Sequence, residues 1–171
     1  YKVTGVQTCA LPISTLATAL AEAFTCPLVP EVARTYLAEH EGAARPTNVQ
    51  TIQQAQREAQ WQAAHTNTAL VLNDTDEQTT LIWMEDKFGP APNDMREQAD
   101  QPAAHLYLLC GPDVPWEPDA LRENPKDRDR LYEIYRQRLT HLGRPYLELS
   151  GSHAERLETA KSFILKAVPN A

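Results

Sequence analysis

Two aspartates, Asp74 and Asp76, follow directly on the apolar run Ala69-Leu70-Val71-Leu72. Such a run reads as a strand buried on both faces, and the residues at its end sit where a parallel sheet opens to ligand. Carboxylates placed there suit a hard divalent cation, which takes oxygen donors and keeps much of its water. One of the two would then serve a metal and the other an acceptor. The alternative is that one of them caps the next helix, since aspartate accepts hydrogen bonds from the first free N–H groups. A second set is Glu31 with Arg34, three residues apart and therefore on one helical face. By themselves they read equally well as a surface ion pair of small energetic worth. A third set is Arg122 with Arg128, in a stretch from Gly111 to Arg128 rich in Pro, Asp, Glu and Arg. Arginines on a segment that closes can stabilise a transferred phosphoryl group. Asp119, Glu123, Asp127 and Asp129 offer them solvated partners instead.

The elements that must position these residues are readable from hydrophobic spacing. Leu16, Ala19, Leu20, Ala23 and Phe24 recur at helical intervals. Leu28-Val29, between two prolines, predicts a short buried strand. Glu31 to Glu41 predicts a helix closed by Gly42, and Thr47 with Gln50 predicts a capping box opening a Gln-rich helix to about His65. Trp61 and Trp83 fall at helical positions and are expected in the core. A helix is expected over Glu77 to Glu85, and a loop over Lys87 to Asn93, which holds two prolines and a glycine. His105 to Cys110 predicts a second buried strand. Leu131, Ile134, Tyr135, Leu139 and Leu142 mark a helix stopped by Gly143, and Tyr146 to Leu149 a strand. Ser152 with Glu155 caps a final helix carrying Leu157, Ala160, Ile164 and Leu165. Strands separated by helices imply an α/β fold: right-handed crossovers, a parallel sheet with helices on both faces, and ligands at the carboxyl ends of the strands.

The composition agrees with one soluble domain: 171 residues, 42% hydrophobic and 23% charged. A formal net charge of −7 argues against nucleic acid or an anionic membrane as the main partner. It leaves room for a small nucleoside or nucleotide, whose phosphates need only a few local donors. No apolar run approaches the roughly 18 residues that span a bilayer. Cys9, Cys26 and Cys110 form no metal spacing, and an odd number fits a reducing cytoplasm. His40, His65, His105, His141 and His153 are scattered without ligand spacing. Oligomeric state is not legible.

The amino terminus breaks the pattern. Ser14-Thr15-Leu16, opening an Ala/Leu helix, is how the helix after a phosphate loop begins. The loop before it should read G-x-x-x-x-G-K-S/T. Aligned on Ser14, the lysine position holds Ile13, the second glycine Pro12 and the first Gln7. Glycines let N–H groups close around phosphate and the lysine supplies the counter-charge; proline has no N–H to offer. Val3 to Ile13 matches the in-frame translation of a common sequencing-library adapter. It is therefore expected to be foreign to the domain, which would run from residue 14 to 171. Its first residues can still stand in as a strand.

With these residues in view, the chain resembles the ribosylnicotinamide-kinase domain of NadR and the related AAA-type P-loop ATP-binding proteins. The resemblance rests on Ser14-Thr15-Leu16, Pro30-Glu31-Val32-Ala33-Arg34, Gln56, Asp74-Thr75-Asp76 with Thr79-Thr80, Phe88-Gly89, Pro115-Trp116 with Asp119 and Leu121-Arg122, then Arg128. It implies a three-layer P-loop fold around a five-stranded parallel sheet. It implies ATP and Mg2+ as cofactors, with Ser14 and Asp74 on the metal and Ser14, Thr15, Arg122 and Arg128 on the nucleotide. Glu31 becomes the general base or hydroxyl ligand for a nucleoside-like acceptor, with nicotinamide riboside the best single guess. Arg34, Gln56, Asp76, Trp116 and Asp119 become its further contacts. The competing implication is an AAA-type regulatory protein or ATPase with no small-molecule kinase activity.

With Ile13 where a lysine belongs, the chain should bind ATP negligibly. Titration calorimetry with Mg-ATP checks this, and a dissociation constant in the micromolar range would contradict it.

Overall fold

The computed structural model describes residues 2–7, 12–40, 44–66, 68–101, 104–114 and 127–168; for 2–7 and 12–14 it describes the backbone only. The strands are β1 (Lys2–Gln7), β2 (Leu28–Val29), β3 (Val71–Asn73), β4 (Leu106–Cys110) and β5 (Tyr146–Leu149). They form one parallel sheet in the order β2-β3-β1-β4-β5. The helices are α1 (Pro12–Phe24), α2 (Val32–Glu39), α3 (Pro46–Ala64), α4 (Glu77–Phe88), α5 (Asn93–Asp100), α6 (Arg128–His141) and α7 (His153–Ala167). Val29 pairs with Asn73 and Cys110 with Leu149, while β1 sets Thr4 beside Asn73 and Gln7 beside Cys110. The carboxyl ends of the strands therefore share one edge of the sheet.

Period-two alternation explains why β4 is apolar throughout. Leu106, Leu108 and Cys110 join Leu70, Leu72 and Leu149 in a core with Leu16 and Leu20 of α1 and Ala160 and Ile164 of α7. Tyr107 and Leu109 face the other layer, against Ile82 of α4 and Tyr135 and Leu139 of α6. A smaller cluster of Val49, Leu81, Met84, Met95 and Ala99 locks α3, α4 and α5 together on that second side. Among the described residues, no helix is long and apolar enough to cross a membrane.

Local signals and structure agree at α7: the Ser152 hydroxyl accepts from the Glu155 N–H, and the Glu155 carboxylate accepts from the Ser152 N–H, a complete capping box. Gly151 makes room for it. At φ +88° a side chain would be strained, and a Cβ would stand 2.6 Å from Glu155 Oε2. Elsewhere the sequence reading needs correction. No Thr47–Gln50 box forms, because Pro46 already occupies the first helical turn with its fixed φ, and α3 starts there with Arg45 as N-cap. Helix α2 begins at Val32 with Glu31 as its N-cap, one residue later than expected. Helix α4 runs on to Phe88, ended by Gly89. Helix α5 was not foreseen; it is polar except for Met95 and Ala99, which bury. Trp61 is 55% exposed and stacks on His65 instead of entering the core. The buried stripe of α3 is filled by Val49, Ile52, Gln53, Gln56 and Gln60, and residue 61 is turned away from it.

Leu20 is the point where α1 seats on the sheet. Leu20→Ala should destabilise the chain by about 2–5 kcal/mol, read from urea unfolding. A loss below about 0.5 kcal/mol would mean that α1 is not docked as described.

Candidate active site

The carboxyl edge of the sheet gathers the polar residues. Asp74 leaves β3 with its N–H bonded to Val29 O at 2.9 Å, so the ends of β2 and β3 are tied together. Its neighbour Asn73 lines a small crevice with Leu16, Ala17, Leu20, Leu72, Leu108 and Cys110. Leu16, Ala17 and Leu20 of α1 thus stand over the ends of β3 and β4; Asp74, which follows Asn73, is buried. Thr15 is exposed at the head of α1, and the side chain of Ser14 lies outside the described residues. The Cys110 thiol is pushed up to about 11, by burial first; Arg156 opposes this, and the carboxylates of Asp113 and Asp74 add to it. That influence places Asp74 within electrostatic reach of the end of β4.

Asp76 has a different position. It is fully buried, caps α4, and accepts from the N–H groups of Gln78 at 3.0 Å and Thr79 at 3.4 Å. Burial raises its carboxyl to about 6, against the lowering pull of the neighbouring Tyr107 hydroxyl, the N–H groups of Thr79 and Gln78, and Arg144. The Tyr107 phenol is itself raised, by burial and then by Asp76. Their approach stops short of full hydrogen-bond geometry: Asp76 Oδ2 and Tyr107 Oη both remain unmatched. Of the two roles open to the aspartates in sequence, Asp76 takes the capping one.

On the acceptor side, Glu31 sits at the β2–α2 turn, with Arg34 Nη2 3.3 Å from its Oε2. The Tyr135 phenol is raised by burial first, with Asp76 and Glu31 both adding to the shift, so Glu31 faces the same buried region as Asp76. Gln56 is neither solvent-facing helix surface nor an idle amide. Its Oε1 accepts from the Val32 N–H at 2.9 Å and its Nε2 donates to Pro30 O at 3.2 Å. Arg128 donates through Nη2 to Pro112 O and, at 2.6 Å, to Val114 O, just past the end of β4. Trp116, Asp119 and Arg122 lie outside the described residues. Among the described residues no three His, Cys, Asp or Glu side chains converge as a metal cage.

Sequence reasoning missed a second cluster at this edge. Arg156, only 2% exposed, donates from Nε to Gly151 O at 2.9 Å and from Nη2 to Gly111 O at 3.2 Å, and pairs with Asp113. Asp113 Oδ2 in turn accepts from the Gly151 N–H at 2.6 Å. Burial pulls the Asp113 carboxyl up, but the Gly151 N–H, its own N–H and Arg156 hold it below the ordinary range. The available signal was spacing: Arg156, Ala160 and Ile164 fall on one face of α7, the face that buries.

A family profile described as AAA domain matches residues 14–156. The chain belongs to the AAA domain family. No curated protein sequence matches it. Solved structures share the fold of this AAA domain. A NadR protein in complex with NAD and AMP-PNP superimposes with a TM-score of 0.80 at 18% identity, over 99% of this chain and 50% of that one. A NadR protein in complex with NR gives 0.82 at 17% identity, over 99% and 52%. A deoxyadenosine kinase from M. mycoides, with dCMP and dCDP bound, gives 0.67 at 11% identity, over 97% and 100%. The AAA domain therefore has a P-loop-NTPase-like α/β fold and spans about half the length of the NadR chains.

Asp76 supplies a test in the metal-free chain. Asp76→Ala should cost about 1 kcal/mol through the lost cap, while Asp76→Asn, also a capping residue, should keep it. A native carboxyl raised from 3.8 to about 6 holds its proton longer than the unfolded one. Stability should therefore fall as pH rises across that window, and Asp76→Asn should flatten the slope. Urea midpoints at several pH values check both, and equal slopes would contradict them.

Proposed function

We propose that the domain transfers the γ-phosphoryl group of ATP to a hydroxyl of a nucleoside-like acceptor, with nicotinamide riboside the first candidate. The carrying observation is the placement of Asp74: a buried carboxylate directly after β3, whose neighbour Asn73 lines a crevice with Leu16, Ala17 and Leu20 of α1 and whose N–H is bonded to Val29, two residues before Glu31. In this reading Glu31 takes the proton of the acceptor hydroxyl. The freed oxygen attacks the γ-phosphorus, the bond to the ADP oxygen breaks, and the products are the phosphorylated nucleoside and ADP. Arg34 holds Glu31 in place and can reach the acceptor. Arg122, Trp116 and Asp119 would meet the nucleotide or acceptor from the segment after Val114. Arg128 would steady the base of that segment, given its bonds to Pro112 and Val114.

The donor set fits magnesium in part. Asp74, with the Ser14 or Thr15 hydroxyl, is a hard-oxygen set of the kind that completes its shell with water and phosphate. When bound, magnesium would neutralise charge on the phosphates. The triphosphate fits less well, because Gln7, Pro12 and Ile13 occupy the positions of the two glycines and the lysine. In the same reading, Val3 to Ile13 is foreign sequence standing in place of that loop. The family match supports this, since it begins at Ser14, directly after the anomalous stretch. The ligands held by the NadR and deoxyadenosine kinase structures support the choice of substrate class.

The alternative, a nucleotide-gated regulatory AAA protein, is favoured by the family description. One experiment separates the two. A chain given a G-x-x-x-x-G-K-S loop is assayed for phosphoryl transfer to nicotinamide riboside and to a panel of nucleosides. Transfer is expected, and Glu31→Gln should lower kcat by roughly 10²–10⁴-fold with ATP affinity nearly unchanged. ATP binding without transfer to any nucleoside would leave the regulatory reading standing.

A further inference from the structure

Three glutamines of α3 are buried: Gln53, Gln56 and Gln60. A glutamine amide carries two donors and a two-lone-pair acceptor, and burying it unpaired is costly. Each therefore has to find partners, and the partners are backbone. Gln53 Nε2 donates to Met95 O at 3.2 Å, at α5. Gln60 Nε2 donates to Thr75 O at 3.0 Å, between Asp74 and Asp76. Gln56 bridges the two turns. Its Nε2 and Oε1 hold Pro30 O and the Val32 N–H on either side of Glu31, and Oε1 also accepts from the Thr75 hydroxyl at 3.4 Å.

Val32 opens α2, so its N–H has no partner within the helix. Glu31, the N-cap, makes no side-chain capping bond. The Gln56 amide does that work from a different helix. As a result the carboxylate of Glu31 projects from a turn clamped on both sides, and the same amide touches the residue between the two aspartates.

We propose that Gln56, seconded by Gln60, is a positioning residue. It fixes the distance between the turn that carries Glu31 and the turn that carries Asp74, and it does not contact the acceptor. The coupling stands on geometry alone; its catalytic consequence rests on the kinase reading above. The amide's hydrogen bonds to Pro30, Val32 and Thr75 already use its inward-facing groups, so recruitment by a nucleoside would cost the clamp.

The test uses the full chain and needs no activity. Amide hydrogen exchange is measured by NMR for the parent, Gln56→Met and Gln60→Met. In Gln56→Met the Val32 amide should exchange at least about tenfold faster, and the amides of Thr75 to Gln78 should speed up with it, while those of Leu106 to Cys110 stay unchanged. Gln60→Met should affect the Thr75 turn and leave Val32 alone. Unchanged exchange at Val32, or a Val32 change with no response at Thr75, overturns the coupling. In a chain with a restored glycine-lysine loop, Gln56→Met should lower kcat at least about tenfold with acceptor KM within about twofold. A rise in KM at constant kcat would make Gln56 a substrate contact and overturn the positioning role. A parent that exchanges as expected but transfers no phosphate defeats the kinase reading and leaves the coupling intact.

Discussion

The need to pair every polar group that leaves a doubly covered sheet governs this molecule. Strands β3 and β4 are buried on both faces, so their backbone bonds close within the sheet and their side chains, Asn73 aside, are largely apolar. Whatever is polar has to emerge at one edge, and there each group needs a partner because water is largely excluded. The chain meets the need in two blocks. On one side of the edge, the amides of α3 hold the turns after β2 and β3. On the other, Arg156 and Asp113 hold the turns after β4 and β5. Neither block is a catalytic group, yet together they determine where such groups stand.

Asp74 and Asp76 show how the same residue type is sorted by context. Both are buried at one strand end, two positions apart. Asp76 is drawn into the first turn of α4, where two N–H groups lack other partners, and burial keeps its carboxyl reluctant to ionise. Asp74 stays with the sheet, tied by its main chain to β2. The pair therefore divides into a member that caps a helix and one that is held by the sheet.

Much of the architecture was legible because it follows from periodicity. The alternating strands and helices, the apolar β4 and the Ser152–Glu155 cap were all visible in residue spacing. Misreadings arose where tertiary packing outweighed local preference. Trp61 looks like core by type, but glutamines had claimed that face of α3 and left the ring outside. Thr47 and Gln50 look like a cap, but Pro46 starts the helix earlier. Helix α5 has too few apolar residues to announce itself. Glu31, Arg34, Asp74 and Asp76 could be nominated as candidates because acidic and basic residues next to an apolar run stand out. Gln56 could be named as an acceptor contact; its burial against the main chain of Pro30 and Val32 could not be read from a Gln-rich stretch. Arg156 and Tyr107 were missed because their partners lie more than thirty residues away, Asp113 in the turn after β4 and Asp76 at the head of α4.

Strand β1 occupies the central slot of the sheet, paired in parallel with β3 and β4. A ladder of that kind asks almost nothing of side-chain identity beyond tolerance of extended backbone. The architecture can therefore persist through wholesale replacement of the segment that, in a working phosphate loop, contributes the decisive chemistry. The backbone shape of this slot and the chemistry of a phosphate loop thus rest on separate features of the sequence.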